Sequence, residues 1–286
     1  MKTGWLIVNP FLQGEKYASL YALLLQESKK RGISLAIKRT DELIHVIGER
    51  IPAPPEFVIF WDKDTYLAES IEAQKIPLFN NARAIALCDD KAKTALSLTA
   101  SNVPTPKTVL APKTFDTVGY NDLSFLEEAE NLLSYPMVIK ENYGSFGAQV
   151  YLAKTHAEAV NIILQLKHKP FIMQEYIAKS HGKDLRVNVV GEKVVCSILR
   201  ENTQDFRSNI SGGGKAKEYI LSDEQAKIAL DACKAVGADF AGVDILFGDT
   251  PLVCEVNSNP HFKSTLDCTG VDLSAYIFTH IEERLS

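Results

Sequence analysis

The stretch Ala241-Gly242-Val243-Asp244-Ile245-Leu246-Phe247-Gly248-Asp249-Thr250-Pro251-Leu252-Val253-Cys254-Glu255-Val256-Asn257 reads as a β-hairpin that carries acids where a core residue would be expected. Two short runs rich in Val, Ile, Leu and Phe flank Gly248-Asp249-Thr250-Pro251, a cluster of turn formers, so an antiparallel pair is the natural reading. Pairing Phe247 with Leu252 and counting back predicts Asp244 opposite Glu255, with Asn257 two residues further along the same face. Val243, Ile245, Phe247, Leu252, Cys254 and Val256 are then expected to point into a core. Like charges facing each other across a ladder repel, and strands this apolar do not form a freely solvated edge. A cation is expected between the two acids. Two carboxylates and an amide oxygen form a ligand set that Mg²⁺ accepts, usually with substrate phosphates completing its octahedron. A hairpin whose outer face is merely acidic is the plainer alternative, and the hairpin alone does not separate the two.

Residues upstream supply charge of the opposite sign. Lys140 ends the buried run Pro136-Met137-Val138-Ile139, so its ammonium emerges where an anion is needed. Tyr143-Gly144-Ser145-Phe146-Gly147-Ala148 follows, a short loop whose two glycines let backbone N–H groups turn toward a phosphate. Gln174-Glu175-Tyr176-Ile177 ends another apolar strand, where exposed backbone groups can read an adenine edge and a following carboxylate, Asp184, can accept ribose hydroxyls. Asp184, Arg186 and Asn188 share one strand face against Leu185, Val187 and Val189 on the other. Arg200, then Phe206-Arg207-Ser208-Asn209 and a triple glycine, place two guanidinium groups suited to carboxylate or phosphoryl oxygens in and beside a polar loop. Each feature also has an ordinary reading, as a hairpin turn, a solvated sheet face or a surface loop.

The chain predicts an α/β (α+β) protein of three parts. Strands alternate with helices over 1–85, as in a small parallel α/β domain whose loops near Asn9 and Asp62 follow strand ends. A central lobe over 86–177 carries the glycine loop. It opens on a helical stretch broken near Cys88, where Asp89-Asp90 caps the second piece. A mostly antiparallel lobe over 178–286 carries the acidic hairpin. With 286 residues and 46% hydrophobic, the chain can bury a core of this size. Its net charge of -5 supplies no general footprint for nucleic acid, and no apolar run suits a signal peptide or membrane span, which leads us to expect a cytoplasmic protein. Five cysteines without any CxxC predict thiols rather than a disulfide framework or zinc site. Neither GxGxxG nor a P-loop is present.

In order, Asp90-Lys91, Pro136 to Lys140, Gly144 to Gly147, Gln174 to Ile177, Gly182 to Arg186, Asp205 to Asn209, Gly242 to Leu246 and Glu255 to Asn257 resemble the motifs of ATP-grasp ligases, and among them the RimK-type enzymes that attach glutamate to an acceptor. The resemblance runs from about Cys88 to the C-terminus. It implies the ATP-grasp fold, two lobes clasping ATP behind an N-terminal α/β domain, and an ADP-forming carboxylate-amine ligase working through an acylphosphate. It implies ATP with Mg²⁺ or Mn²⁺ as the bound groups. Lys91, Lys140, Gly144, Ser145 and Gly147 would surround phosphates, Gln174, Glu175, Tyr176 and Ile177 the adenine, and Asp184 and Arg186 the rest of the nucleotide. Asp244, Glu255 and Asn257 would hold metal. Ser208 and Asn209 would cover the reacting phosphoryl group, and Arg200 or Arg207 would stabilise the oxyanion. The partners implied are an amino acid and an amine, peptide or carrier-protein acceptor, with a homo-oligomer compatible. A catalytically inactive nucleotide-binding regulator and a phosphotransferase are the competing classes. One departure stands out: RimK-type sequences continue after the metal-binding Asn with Pro-Gly, whereas Ser258-Asn259-Pro260-His261 sets His261 in the glycine's place. Around Phe262-Lys263 the chain is more similar to the lysine-biosynthesis ligases.

Overall fold

The computed structural model describes residues 2–145, 147–208 and 213–286. Its first part comprises β1 (Thr3–Val8), α1 (Glu15–Lys30), β2 (Ser34–Arg39), β3 (Phe57–Trp61), α2 (Thr65–Glu72) and β4 (Leu78–Phe79). The strands form a parallel sheet in the order β2-β1-β3-β4. All five residues of β3 are buried, as a parallel strand covered on both faces requires. The order reverses between β1 and β3, so Asn9 and Asp62 leave adjacent strand ends at a topological switch point, where Asn9 Nδ2 donates to Asp62 Oδ1 at 3.2 Å.

Helices α3 (Ala82–Asp89) and α4 (Lys91–Ala100) break at the expected place, because the Asp90 carboxylate accepts from the amides of Ala92 and Lys93 and caps α4. Next come β5 (Thr108–Leu110), α5 (Ser124–Leu133), β6 (Met137–Glu141), β7 (Val150–Ala153), α6 (His156–Leu166) and β8 (Phe171–Glu175). They build an antiparallel sheet, β5-β8-β6-β7, with a core made from its own residues.

The last part holds β9 (Lys183–Val190), β10 (Lys193–Glu201), β11 (Lys215–Glu218), α7 (Asp223–Val236), β12 (Phe240–Phe247), β13 (Pro251–Asn257), α8 (Lys263–Thr269) and α9 (Leu273–Arg284). Its antiparallel sheet runs β11-β10-β9-β12-β13. Leu185, Val187, Val189, Val243 and Ile245 bury one face beneath α7, together with Cys88 of α3 and Leu98 of α4.

The hairpin register differs from the expected one near the turn. Phe247 pairs with Pro251 and Ile245 with Val253, and a bulge at Cys254 then returns Asp244 to its place opposite Glu255. Val253 is therefore the buried core residue, while Leu252 and Cys254 leave the core positions the sequence predicted for them. The extra residue in the bulge turns Cys254 into the same cleft as Glu255.

Candidate functional site

The acidic row is built by strand register. Arg186 of β9 lies opposite Asp244 of β12, which lies opposite Glu255 of β13; Arg200 of β10 lies opposite Asp184 of β9. On this face each arginine lies opposite an aspartate and pairs with it. Arg200 donates Nε to Asp184 Oδ1 at 2.7 Å and Nη2 to Asp184 Oδ2 at 2.6 Å, and its Nη2 also reaches Asp244 Oδ2 at 2.9 Å. Arg186 forks onto Asp244, Nε to Oδ1 and Nη2 to Oδ2. The sequence reading expected a metal ion to neutralise Asp244. In the structure two guanidinium groups, those of Arg186 and Arg200, also face this carboxylate.

Burial alone would push the Asp244 carboxyl up, but Arg186 and Arg200 outweigh it and hold it below the usual carboxylate range. Burial likewise opposes the charge on Arg200, and Asp244 and Asp184 more than restore it. Asp244 and Arg200 are thus each held in their charged forms by paired partners in a desolvated site.

Opposite this sheet, Lys140 is buried at the end of β6, donating to Gln174 Oε1 at 2.6 Å and to Cys254 Sγ at 3.2 Å. Gln174 in turn donates to Thr108 Oγ1 at 2.9 Å. Glu175 accepts from the Lys107 amide at 2.6 Å, which turns its side chain back to β5 and leaves the backbone of Glu175, Tyr176 and Ile177 along the cleft. Lys91, at the first position of α4, donates to the Gly144 carbonyl at 3.3 Å and stands 3.8 Å from Glu255 Oε1. Gly147 adopts φ +75°, a conformation that favours glycine, and its carbonyl accepts from Arg207 Nη1 at 2.7 Å. Arg207 is held on Asp205 through Nε at 3.0 Å and Nη2 at 2.6 Å. The loop after β10 and the glycine loop thus close over one another.

Two clefts meet here. The first brings together Lys91, Lys140, Gly144, Ser145, Gly147, Gln174, Glu175, Tyr176, Ile177, Asp184, Arg207, Ser208 and Asp244. The second, of about 640 Å³ and in the size range of small-molecule sites, contains Arg186 and Asn257 beside Trp61, Lys63 and His261. Ser145, Arg200 and Glu255 line both. Of the expected site residues, Asn209 lies outside the described residues.

The Asn257 amide donates to the Gly242 carbonyl at 3.2 Å, which fixes the side chain and leaves its oxygen as an available ligand. Glu255 has only the long pair with Lys91 among its described ion pairs. These two oxygen donors suit a hard divalent cation, and the ionised Asp244 beside them suits it as well.

Sequence reasoning missed Cys254 and Gln149 as residues of the first cleft. Cys254 escaped because a bulge leaves no compositional trace. Lys63, in the loop expected at the end of β3, pairs through Nζ with Asp89 at 2.6 Å and donates to Ser145 Oγ at 3.2 Å, tying the first sheet to the glycine loop, a contact the sequence did not foretell.

Residues 88–281 match the family described as the RimK-like ATP-grasp domain. A probable alpha-L-glutamate ligase of Mannheimia succiniciproducens is 32% identical over 220 residues, 76% of this chain and 71% of that protein. Human N-acetylaspartylglutamate synthase A is 31% identical over 250 residues, 86% of this chain and 62% of that one. Among solved structures, the RimK domain ATP-grasp protein of Sphaerobacter thermophilus superposes with a TM-score of 0.76 over 98% of this chain and 99% of its own, at 17% identity, a likeness of fold.

Proposed function

Because the chain belongs to the RimK-like ATP-grasp family, we propose that it is an ADP-forming carboxylate-amine ligase that joins glutamate or a similar amino acid to an amine, peptide or protein acceptor. Relatives named for glutamate ligation and for N-acetylaspartylglutamate synthesis support the amino-acid part of this reading. The observation that carries it is the junction of the two clefts. A phosphate-sized anion beside Lys140 and Lys91 and a second substrate beside Arg186 and Asn257 would meet at Arg200 and Glu255, which line both.

In this reading the backbone of Glu175 to Ile177 takes the adenine, and Lys91, Lys140 and the glycine loop carry the phosphates. Asp184 offers its remaining acceptor capacity to the ribose, its carboxylate oriented by Arg200. Asp244, Glu255 and Asn257 would hold Mg²⁺, which when bound neutralises phosphate charge. A substrate carboxylate attacks the γ-phosphorus of ATP, ADP leaves, and an acylphosphate forms. The amine then displaces phosphate, giving an amide and losing a proton. Arg200 and Arg207 face the developing oxyanion, Arg207 from the loop that closes against Gly147. No protein nucleophile is needed.

The test is ADP release by the purified chain with ATP, Mg²⁺ and amino acids, with products weighed by mass spectrometry. The expected product is an amide, formed with one ADP per bond, and Glu255→Gln should lower turnover by at least 100-fold. A stable phosphorylated product, or binding of ATP without any ADP, would refute the ligase reading.

A further inference from the structure

Three parts of the chain hold the glycine loop, each at a different residue. Lys91 of α4 donates to the Gly144 carbonyl at 3.3 Å, Arg207 of the loop after β10 donates to the Gly147 carbonyl at 2.7 Å, and Lys63, just past the end of β3, donates to Ser145 Oγ at 3.2 Å. Lys91 and Arg207 line the first cleft, whereas Lys63 lines the second and Ser145 lines both. The Lys63 ammonium also stands 2.6 Å from Asp89 Oδ1. Two of its three donors are thus placed, and with the side chain 43% exposed the third is open to a molecule in the second cleft. Its neighbours locate that opening. Burial, followed by the neighbouring Cys233, pushes the Cys88 thiol up, and the charges of Glu255, Lys63 and Asp89 also act on its sulfur, which lines the second cleft. Lys63 and Glu255 therefore stand near one point of that cleft, beside Ser145, where the two clefts meet.

We infer that Lys63 couples the two clefts: it holds Ser145 of the glycine loop from the first part of the chain and gives its remaining donor to a carboxylate in the second cleft, so that nucleotide and amino acid each raise the other's affinity. The central sheet keeps a core of its own, whereas the first sheet shares its core with the last part, so the bond from Lys63 to Ser145 joins bodies that pack separately. A glycine loop closed over nucleotide sets the Ser145 hydroxyl where it accepts from Lys63, and this fixes the end of a flexible side chain. A carboxylate then meets an ammonium already in place and does not bear the entropy of ordering it. Linkage makes the effect equal in both directions. Lys63 is thus a positioning residue for the loop and a binding residue for the carboxylate. The inference rests on the ligase reading for which molecules occupy the clefts, but the coupling is read without turnover.

Calorimetric titration of the full chain with Mg²⁺ and a non-hydrolysable ATP analogue is the test, with L-glutamate, L-aspartate and glycine titrated alone and beside the analogue. For the best of the three, saturating amino acid should lower the Kd of the analogue about fivefold, and the analogue should lower the Kd of the amino acid by the same factor. Lys63→Met should bring both factors close to one while the Kd of the analogue alone changes by less than about twofold, since Lys63 is not among the residues of the first cleft. Lys63→Arg, which keeps the charge and donors, should retain about threefold coupling. Ser145→Ala should lose the coupling to the same extent as Lys63→Met, and the double variant should lose no more than either, as two members of one contact behave. A merely structural lysine would weaken binding of the analogue alone and beside the amino acid alike. Coupling without any ADP release from ATP would sink the ligase reading and leave the inference standing, and amide formation with a wild-type factor near one would do the reverse. Additive losses in the two single variants, an unchanged factor in Lys63→Met, an equal loss of analogue binding alone, or failure of all three amino acids to bind would each overturn the inference.

Discussion

Asp244 and Glu255 face each other as the same kind of acid, yet their surroundings divide them. Asp244 is gripped by Arg186 and Arg200 in a desolvated row, whereas Glu255 is part-exposed and stands 3.8 Å from Lys91. Asp244→Asn leaves two buried guanidinium groups short of a charge, which costs about 3–5 kcal/mol. Glu255→Gln removes a long, part-solvated pair, worth at most about 1 kcal/mol. Urea unfolding should therefore show a large fall in midpoint for the first variant and almost none for the second, while both lose ADP formation. The sign with pH follows. The Asp244 carboxyl is depressed below its ordinary 3.8, so its stabilisation is present above that pH and is lost as pH falls through the lower folded-state value. Equal midpoints for the two variants at neutral pH would show that the arginine row carries no stability. The opposed acids were legible from the spacing of the hairpin. Their arginine partners were not, because which side chain crosses a sheet depends on register between strands far apart in sequence.

At the level of elements, periodicity and caps carried most of the reading. α5, α6 and α7 occupy the stretches their apolar spacing and first-turn residues mark out, and Ser222 closes a capping box with Gln225 at the start of α7. What escaped were α2, α8 and β11, short segments whose composition is polar or mixed. β11, Lys-Ala-Lys-Glu, is a strand only because it pairs with β10. The hairpin register shows how an expectation can reach the right contact by a wrong count. The turn is one residue shorter than expected, the bulge at Cys254 restores the offset, and Asp244 meets Glu255 all the same. Gly182 sets the loop that carries Arg207. Its amide donates to the Phe206 carbonyl at 2.8 Å and its carbonyl accepts from the Asn202 amide at 2.7 Å, at φ +65°. A Cβ there would lie 2.2 Å from the Asn202 carbonyl oxygen. Gly182→Ala should cost about 1–3 kcal/mol and release the loop. Faster tryptic cleavage after Arg207, together with a raised KM for ATP, is the expected outcome, and an unchanged cleavage rate would show that the loop is held elsewhere.

Across the whole molecule, the cores decide which parts move together. Leu6, Val8, Leu24 and Phe57 of the first part share one core with Phe240, Ile277 and Phe278 of the last, and Trp61 stacks on Phe240 at 5.4 Å between centroids. Asn80 pins the same seam. It is fully buried, its Nδ2 donates to the carbonyls of Phe240 and Ser258 at 2.9 and 2.7 Å, and its Oδ1 accepts from the amides of Asp239 and Phe240 at 2.6 and 3.2 Å. The middle sheet instead keeps a core of its own. Helices α3 and α4 pack on the last part through Cys88 and Leu98, so we propose that the unit free to move over the first cleft starts near Pro104–Pro106. No described helix is long and apolar enough to cross a membrane. Asn80→Ala strips four buried hydrogen bonds from backbone groups of β12 and of the segment that carries Asn259. The cost is about 3–5 kcal/mol, since each orphaned buried group loses its partner and gains no water. Hydrogen exchange should report the loss together in β1, β3, β12 and α9, because one core spans them, while α5 and α6 keep their protection. Loss confined to the first part, with β12 and α9 unaffected, would mean that the two sheets open independently.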